Sequence, residues 1–131
     1  MKVLFAVSVS VAVLALAGCG GGDSNDAADQ QAIESVASQY ASTAADGDFA
    51  ATCKLFTPDS LARIEKLKVF GSCQELMKAG LGNLPEGEIE KLGEISDLQV
   101  DGDTATAQSR GETIKFRKID GEWKLDVSEP G

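Results

Sequence analysis

Histidine is absent from the sequence. With it go the commonest general base and the commonest metal ligand. A Gly-rich phosphate loop, a metal-spaced Cys/His cluster and a nucleophile motif are missing as well. The expectation is therefore no catalytic residue, no cofactor and no metal site. Asp46-x-Asp48 and Asp101-x-Asp103 bring carboxylates together, but Ca²⁺ takes about six or more oxygens and neither run supplies them. Positive charge is scarce, with 12 Lys and Arg against 21 Asp and Glu and a net charge of −9. An acidic domain repels phosphate backbones, which argues against a nucleic-acid partner. Charge of this kind serves solubility. The 131 residues suit one domain and a leader.

The leader is what the N-terminus supplies. Lys2 precedes Val3 to Ala17, a run that is apolar apart from Ser8 and Ser10. It is shorter than the ~20 residues that a helix needs to cross hydrocarbon, and it fits the h-region of an export signal. It ends in Leu16-Ala17-Gly18-Cys19. That ending resembles the lipobox of bacterial lipoproteins, with Leu, two small residues and then the Cys. The resemblance implies a signal peptide over residues 1–18, cleavage before Cys19, and lipidation of Cys19 with acyl chains such as palmitate. Two or more chains hold a protein firmly to a bilayer without spanning it. The alternative is an ordinary signal peptide with an incidental Cys. The expected location is outside the cell, anchored to the outer face of the cytoplasmic membrane or to another envelope membrane. Residues 19–26, with Gly20-Gly21-Gly22 at their centre, read as a flexible tether.

From Asp26 the pattern becomes helical. Ile33, Val36, Ala37, Tyr40, Ala41 and Ala44 follow the spacing of a single helix face, giving about five turns. Asn25 or Asp26 is expected to cap the start, Asp29 to sit in the positive first turn, and Gly47 to end the helix. Asp48 then caps a short second helix carrying Phe49, Cys53 and Phe56. Thr57-Pro58 opens a third, with Leu61, Ile64 and Leu67 as its apolar positions. Ser72-Cys73-Gln74-Glu75 has the form of a capping box and opens a fourth helix, expected over Cys73 to Ala79. Residues 80–87, rich in Gly, read as a hinge. Cys53 and Cys73 are the cysteines left once Cys19 is lipidated. An exported compartment permits a disulfide, and these two are expected to form it, the alternative being two buried thiols.

The stretch from Glu94 to Val127 reads as strands and turns. Ile89 and Leu92 fit a first irregular strand. Leu98 and Val100, then Ala105 and Ala107, then Ile114 and Phe116, then Trp123, Leu125 and Val127 alternate with polar residues, so one face is apolar and the other wet. Asp101-Gly102 and Asp120-Gly121 suit two-residue hairpin turns, and Arg110-Gly111 makes the turn between them. Lys115, Arg117 and Lys124 group on the wet face. They read as a solvated surface that discourages edge pairing, with a phosphate or lipid headgroup as the alternative.

A long amphipathic helix, Asp46-Gly47-Asp48, a short helix with a Phe, a third helix and a meander containing Val100-Asp101-Gly102-Asp103-Thr104-Ala105-Thr106 and Asp120-Gly121-Glu122-Trp123-Lys124-Leu125-Asp126 together resemble the nuclear transport factor 2-like superfamily. The outline is also similar to its SnoaL-like and ketosteroid-isomerase-like branches. The resemblance covers residues 27–128. It implies an α+β cone, in which N-terminal helices pack on a curved antiparallel β-sheet around a pocket, with Tyr40, Phe56, Phe116 and Trp123 as the pocket residues. In such proteins the pocket binds small apolar molecules, carries an active site or is filled. Enzymes of the family use an Asp–His pair, which this chain cannot form, or an Asp base with a Tyr donor. Tyr40 is the available donor, but Asp46, Asp48, Asp101, Asp103 and Asp120 sit at turns or caps where Asp bonds locally. The expectation is a non-catalytic envelope lipoprotein that binds a small apolar ligand or another envelope protein. The alternatives are an isomerase- or dehydratase-like enzyme centred on Tyr40 and an accessory subunit without a ligand. Several family members pair through the outer sheet face, which Lys115, Arg117 and Lys124 make less adhesive here; oligomeric state stays open.

Overall fold

The computed structural model describes residues 23–129. The export signal, Cys19 and the first residues of the tether lie outside that range. A long helix, α1 (Asp23–Ala45), is followed by α2 (Phe49–Cys53), α3 (Pro58–Lys66), α4 (Cys73–Leu81), α5 (Glu86–Glu90) and a 3₁₀ turn at Lys91–Gly93. Four strands complete the chain: β1 (Ser96–Asp101), β2 (Thr104–Ser109), β3 (Glu112–Ile119) and β4 (Glu122–Leu125). They form an open antiparallel sheet in the order β1-β2-β3-β4. The class is α+β.

α1 is longer at its start than the sequence predicts. Asn25 and Asp26 stand inside the helix rather than at its cap, and residues 23–26 are helical rather than part of a tether. Its far end follows the expectation closely. Gly47 takes a φ of +72°. Its N–H donates to the Ala44 carbonyl at 3.1 Å, and the Asp48 N–H donates to the Thr43 carbonyl at 2.9 Å. This is a Schellman ending, and it satisfies carbonyls that the last turn leaves free. Asp48 at once caps the next helix, its carboxylate accepting from the Ala51 N–H at 3.1 Å. Thr57 caps α3 and Ser72 caps α4 through their hydroxyls. α4 runs on through Gly80 to Leu81, so the hinge shortens to residues 82–85.

Cys53 at the end of α2 and Cys73 at the start of α4 are at disulfide distance, with Cα atoms 6.1 Å apart. Beyond α4, Ile89 and Leu92 fall in α5 and the 3₁₀ turn, not in a strand. Their spacing of three residues fits a helical face as well as an irregular strand. Gly93 ends this segment directly on α1. A Cβ there would come 2.9 Å from the Ala41 Cβ and 3.2 Å from the Ala37 carbonyl oxygen. The segment therefore packs where only a glycine fits.

The hairpins show how turn chemistry sets register. Arg110-Gly111 and Asp120-Gly121 have positive φ at both positions, as a type I′ turn requires. The first hairpin is shifted by one residue from the expectation. Asp101 pairs with Thr104, so its loop is Gly102-Asp103. Gly102 has φ +60° and Asp103 does not have positive φ, the pattern of a II′ turn with Gly leading. A bulge interrupts β1 between Ser96 and Gln99, where Asp97 has φ +51°.

Ile33, Val36, Ala37 and Ala44 on α1 share one core with Ala105, Ala107, Phe116, Trp123 and Leu125 of the sheet. Tyr40 and Ile114 pack against it, half-buried. Val127 does not join them. Its side chain is 43% exposed, because β4 ends at Leu125. The edge of β4 is covered at its Leu125 end. Leu125 donates its N–H to the Leu55 carbonyl at 2.8 Å and accepts from the Thr57 N–H at 2.9 Å. That is a parallel bridge from the α2–α3 connection to the sheet.

Candidate functional site

A cavity of about 630 Å³ opens between the helices and the sheet. Ala37 and Tyr40 of α1, with Phe56 and Leu92, contribute to its lining. α3 and α4 supply one wall through Ile64, Leu67, Leu76 and Met77. The sheet supplies the other through Ser109, Ile114, Leu125 and Val127. Arg63, Arg110 and Glu112 bring charge to the lining. The small Ala105 and Ala107 side chains, both buried, keep the neighbouring sheet face low.

Tyr40 and Ser109 bring hydroxyls to this lining, that of Ser109 facing the Leu92 carbonyl at 3.5 Å. The Tyr40 ring packs edge-on against Phe56, with centroids 6.0 Å apart and planes at 83°. Its hydroxyl has the Met77 Sδ at 4.0 Å. A thioether is a weak acceptor, so this hydroxyl keeps most of its capacity to donate. Burial pushes the Tyr40 phenol above its usual range, which keeps it protonated at neutral pH.

Tyr40 and Phe56 thus line the cavity, as the sequence predicts. Phe116 and Trp123 do not. They are 1% and 5% exposed and belong to the filled core. Phe116 is sealed under the helices on the long strand β3. Trp123 is drawn to the opposite end of α1, where its indole N–H donates to the Asp29 carboxylate at 2.9 Å. Sequence reasoning also missed Arg63, Ser109, Arg110 and Glu112. Arg110 sits in a hairpin turn, Ser109 and Glu112 flank that turn, and Arg63 sits on α3, positions that read as surface in the sequence. Arg63 donates to the Val127 carbonyl at 2.7 Å, and Arg110 pairs with Glu88 at 3.1 Å.

The wet-face cations are each engaged. Lys115 lies 3.7 Å from Glu129, Arg117 lies 2.9 Å from Asp59, and Lys124 donates to the Lys54 carbonyl at 3.0 Å. That arrangement favours a solvated, cross-linked surface over an anion site. Beneath it, Asp126 accepts from Ser60 at 3.2 Å and from both the N–H and the hydroxyl of Ser128. Burial pulls the Asp126 carboxyl upward, but the Ser128 hydrogen bonds, the Arg117 charge and Ser60 outweigh it and leave the group below the usual carboxylate range.

A second, wider groove of about 800 Å³ lies between the end of α1, α4 and α5. Ala44, Phe49, Glu75, Lys78 and Leu84 line it. It is more open to solvent, and its donors, Lys78 and Asn83, share a more polar lining with the carboxylates of Glu75 and Glu86. Among the described residues no group of three or more Cys, Asp or Glu is placed to hold a metal ion. No helix among them is long and apolar enough to cross a membrane. Comparison with protein-family models, with curated proteins and with solved structures finds no match to this chain.

Proposed function

We propose that this protein is a lipid-anchored envelope lipoprotein, non-catalytic, whose cavity holds a small apolar molecule with a polar end. The lipobox reading of Leu16-Ala17-Gly18-Cys19 supports the anchor. The helix-on-meander arrangement supports reading the domain as a nuclear transport factor 2-like cone. One observation carries the ligand: a cavity of about 630 Å³ with largely apolar walls, to which the under-used Tyr40 hydroxyl and the buried Ser109 bring polar groups. Small-molecule pockets run from about 300 Å³ upward, with apolar walls and a few placed polar groups. This one falls within that range, which favours a ligand over an accessory subunit with a closed core.

The isomerase- or dehydratase-like alternative asks for a carboxylate within reach of a ligand held at Tyr40. The carboxylate in the lining is Glu112, and it is exposed. An exposed carboxylate at the end of a hairpin is poorly placed to abstract a proton in a desolvated pocket. Binding without turnover is the better-supported reading.

Native mass spectrometry of the processed protein, taken in mild detergent from its own membrane, tests this. The expected result is a bound small molecule that disappears in the Leu76→Trp protein, where the indole fills the cavity. A wild-type spectrum showing the bare lipidated chain would remove the ligand reading. Bound molecules that survive the Leu76→Trp change would place the ligand elsewhere.

A further inference from the structure

The connection from α3 to α4 presents apolar side chains to solvent. Leu67 is 56% exposed, Val69 70% and Phe70 37%. Val127, 43% exposed, lies with Leu67 on the lining of the cavity. Scattered single apolar residues on a surface need no explanation, but a contiguous group does. The backbone favours this display. Lys68 takes φ +50°, a left-handed conformation that a lysine adopts at some cost. It stops α3 and starts an irregular link of residues 67–72. The base of the link is held where Cys73 meets Cys53.

Charge separates this link from the rest of the chain. The protein carries a net charge of −9. From Arg63 to Ser72 there are three basic residues, Arg63, Lys66 and Lys68, against one acidic residue, Glu65. Among the described residues none of the three is in an ion pair, as is also true of Lys54 and Lys78, whereas Lys91, Arg110, Lys115, Arg117, Lys118 and Lys124 all are. Alternating Lys66, Leu67, Lys68 and Val69, followed by Phe70, has the chemistry of a segment that inserts apolar side chains at a lipid interface while its ammonium groups meet anionic headgroups.

We propose that residues 66–70 dock on an anionic lipid surface and form the portal between that surface and the cavity. The docking stands on exposure and charge, and its test uses the lipid anchor proposed above. The portal role rests on the ligand reading given above. Leu67 belongs both to the link and to the cavity lining, so an amphiphile leaving the bilayer there meets apolar side chains along its path. This geometry points to ligands with an acyl or similar chain.

The lipidated protein, reconstituted in vesicles containing brominated lipid, tests the docking. Its anchor holds every variant on the vesicle, so differences report the link and not recruitment. The wild-type signal from Trp123 is common to all proteins and is subtracted. The expected result is stronger quenching in Phe70→Trp than in Thr106→Trp on the outer sheet face, in vesicles with anionic lipid. Lys66→Gln and Lys68→Gln, added to Phe70→Trp, are each expected to reduce surface occupancy of the link by about fivefold. Equal quenching at the two sites would overturn the docking. Quenching indifferent to lipid charge and to both lysines would overturn the assignment to an anionic surface. A protein that carries no ligand by mass spectrometry yet shows the quenching would remove the portal role and leave the docking.

Discussion

Trp123 and Asp29, 94 residues apart, join the end of the sheet to α1 through a hydrogen bond of 2.9 Å. The same carboxylate oxygen accepts from Lys118 at 2.9 Å, and the Lys118 ammonium lies 5.8 Å from the centre of the Trp123 ring. The Trp123 hydrogen bond, then the Lys118 bond and charge, hold the Asp29 carboxyl below its usual range against the opposing effect of burial.

The sign of the pH dependence follows. A carboxyl whose folded value is depressed stabilises the fold above its unfolded value and loses that contribution as pH falls through the folded value. Stability from Asp29 is therefore complete above about pH 4 and declines below it. Asp29→Asn is expected to lower the denaturation midpoint at pH 7 and to flatten the decline on acidification below pH 4. It also shifts Trp123 emission to longer wavelength. Urea titrations at a series of pH values, followed by fluorescence, check all of this.

Cys53 and Cys73 stand at disulfide distance with a sequence separation of 20, and a bond between them closes a loop of that size. Such a loop contributes about 3 kcal/mol on the chain-entropy view. Replacing both cysteines by Ser is expected to lower Tm by on the order of 10 °C, while leaving the circular dichroism of the helices in place below the transition. Reduction of the wild-type protein is expected to raise its intact mass by the two hydrogens taken up. Scanning calorimetry and mass measurement with and without reductant give the answer.

Gly93 lies against α1 with no room for a side chain. Gly93→Ala forces the 3₁₀ turn off Ala41, and Gly93→Val adds to the clash. The expected cost is about 1–3 kcal/mol, larger for Val. Substitution of Gly87, where a Cβ would meet nothing within 4 Å, serves as the control and is expected to change stability little. Thermal unfolding of the three proteins decides it.

Tyr40→Phe removes the hydroxyl and keeps the ring against Phe56. Because among the described residues the hydroxyl bonds to the Met77 sulfur alone, stability is expected to change by less than about 1 kcal/mol. Affinity for the cavity ligand is expected to fall by about tenfold, the value of one hydrogen bond to a neutral partner. Calorimetric titration with the ligand recovered from the wild-type protein measures the difference.

The helical stripe of α1, the caps at Asp48, Thr57 and Ser72 and the Gly-bearing hairpins were legible because each is a local matter of spacing and backbone angle. The inward face of the sheet was legible for the same reason, up to Leu125. Val127 left the pattern because Asp126 turns into hydrogen bonds with Ser60 and Ser128, and a strand rule carries no information about such partners. The cavity was half legible. Tyr40 and Phe56 sit on apolar faces that sequence spacing identifies. Arg63, Arg110 and Glu112 reach the lining because α3 and a hairpin meet in space, which spacing within either element cannot reveal. Phe116 and Trp123 were misassigned because a large aromatic residue in a strand is equally suited to filling a core and to walling a pocket.

The bridge from Leu55 and Thr57 to Leu125 has a bearing on self-association. Fibrous growth by strand addition requires two open borders on each molecule, one to accept a neighbour and one to offer. Here the Leu125 end of the β4 border is occupied by the molecule's own α2–α3 connection, whereas β1, with its kink at Asp97, has no such cover among the described residues. Strand addition at the Leu125 end of β4 therefore has to displace the molecule's own connection, which leaves β1 the more open border for a second copy.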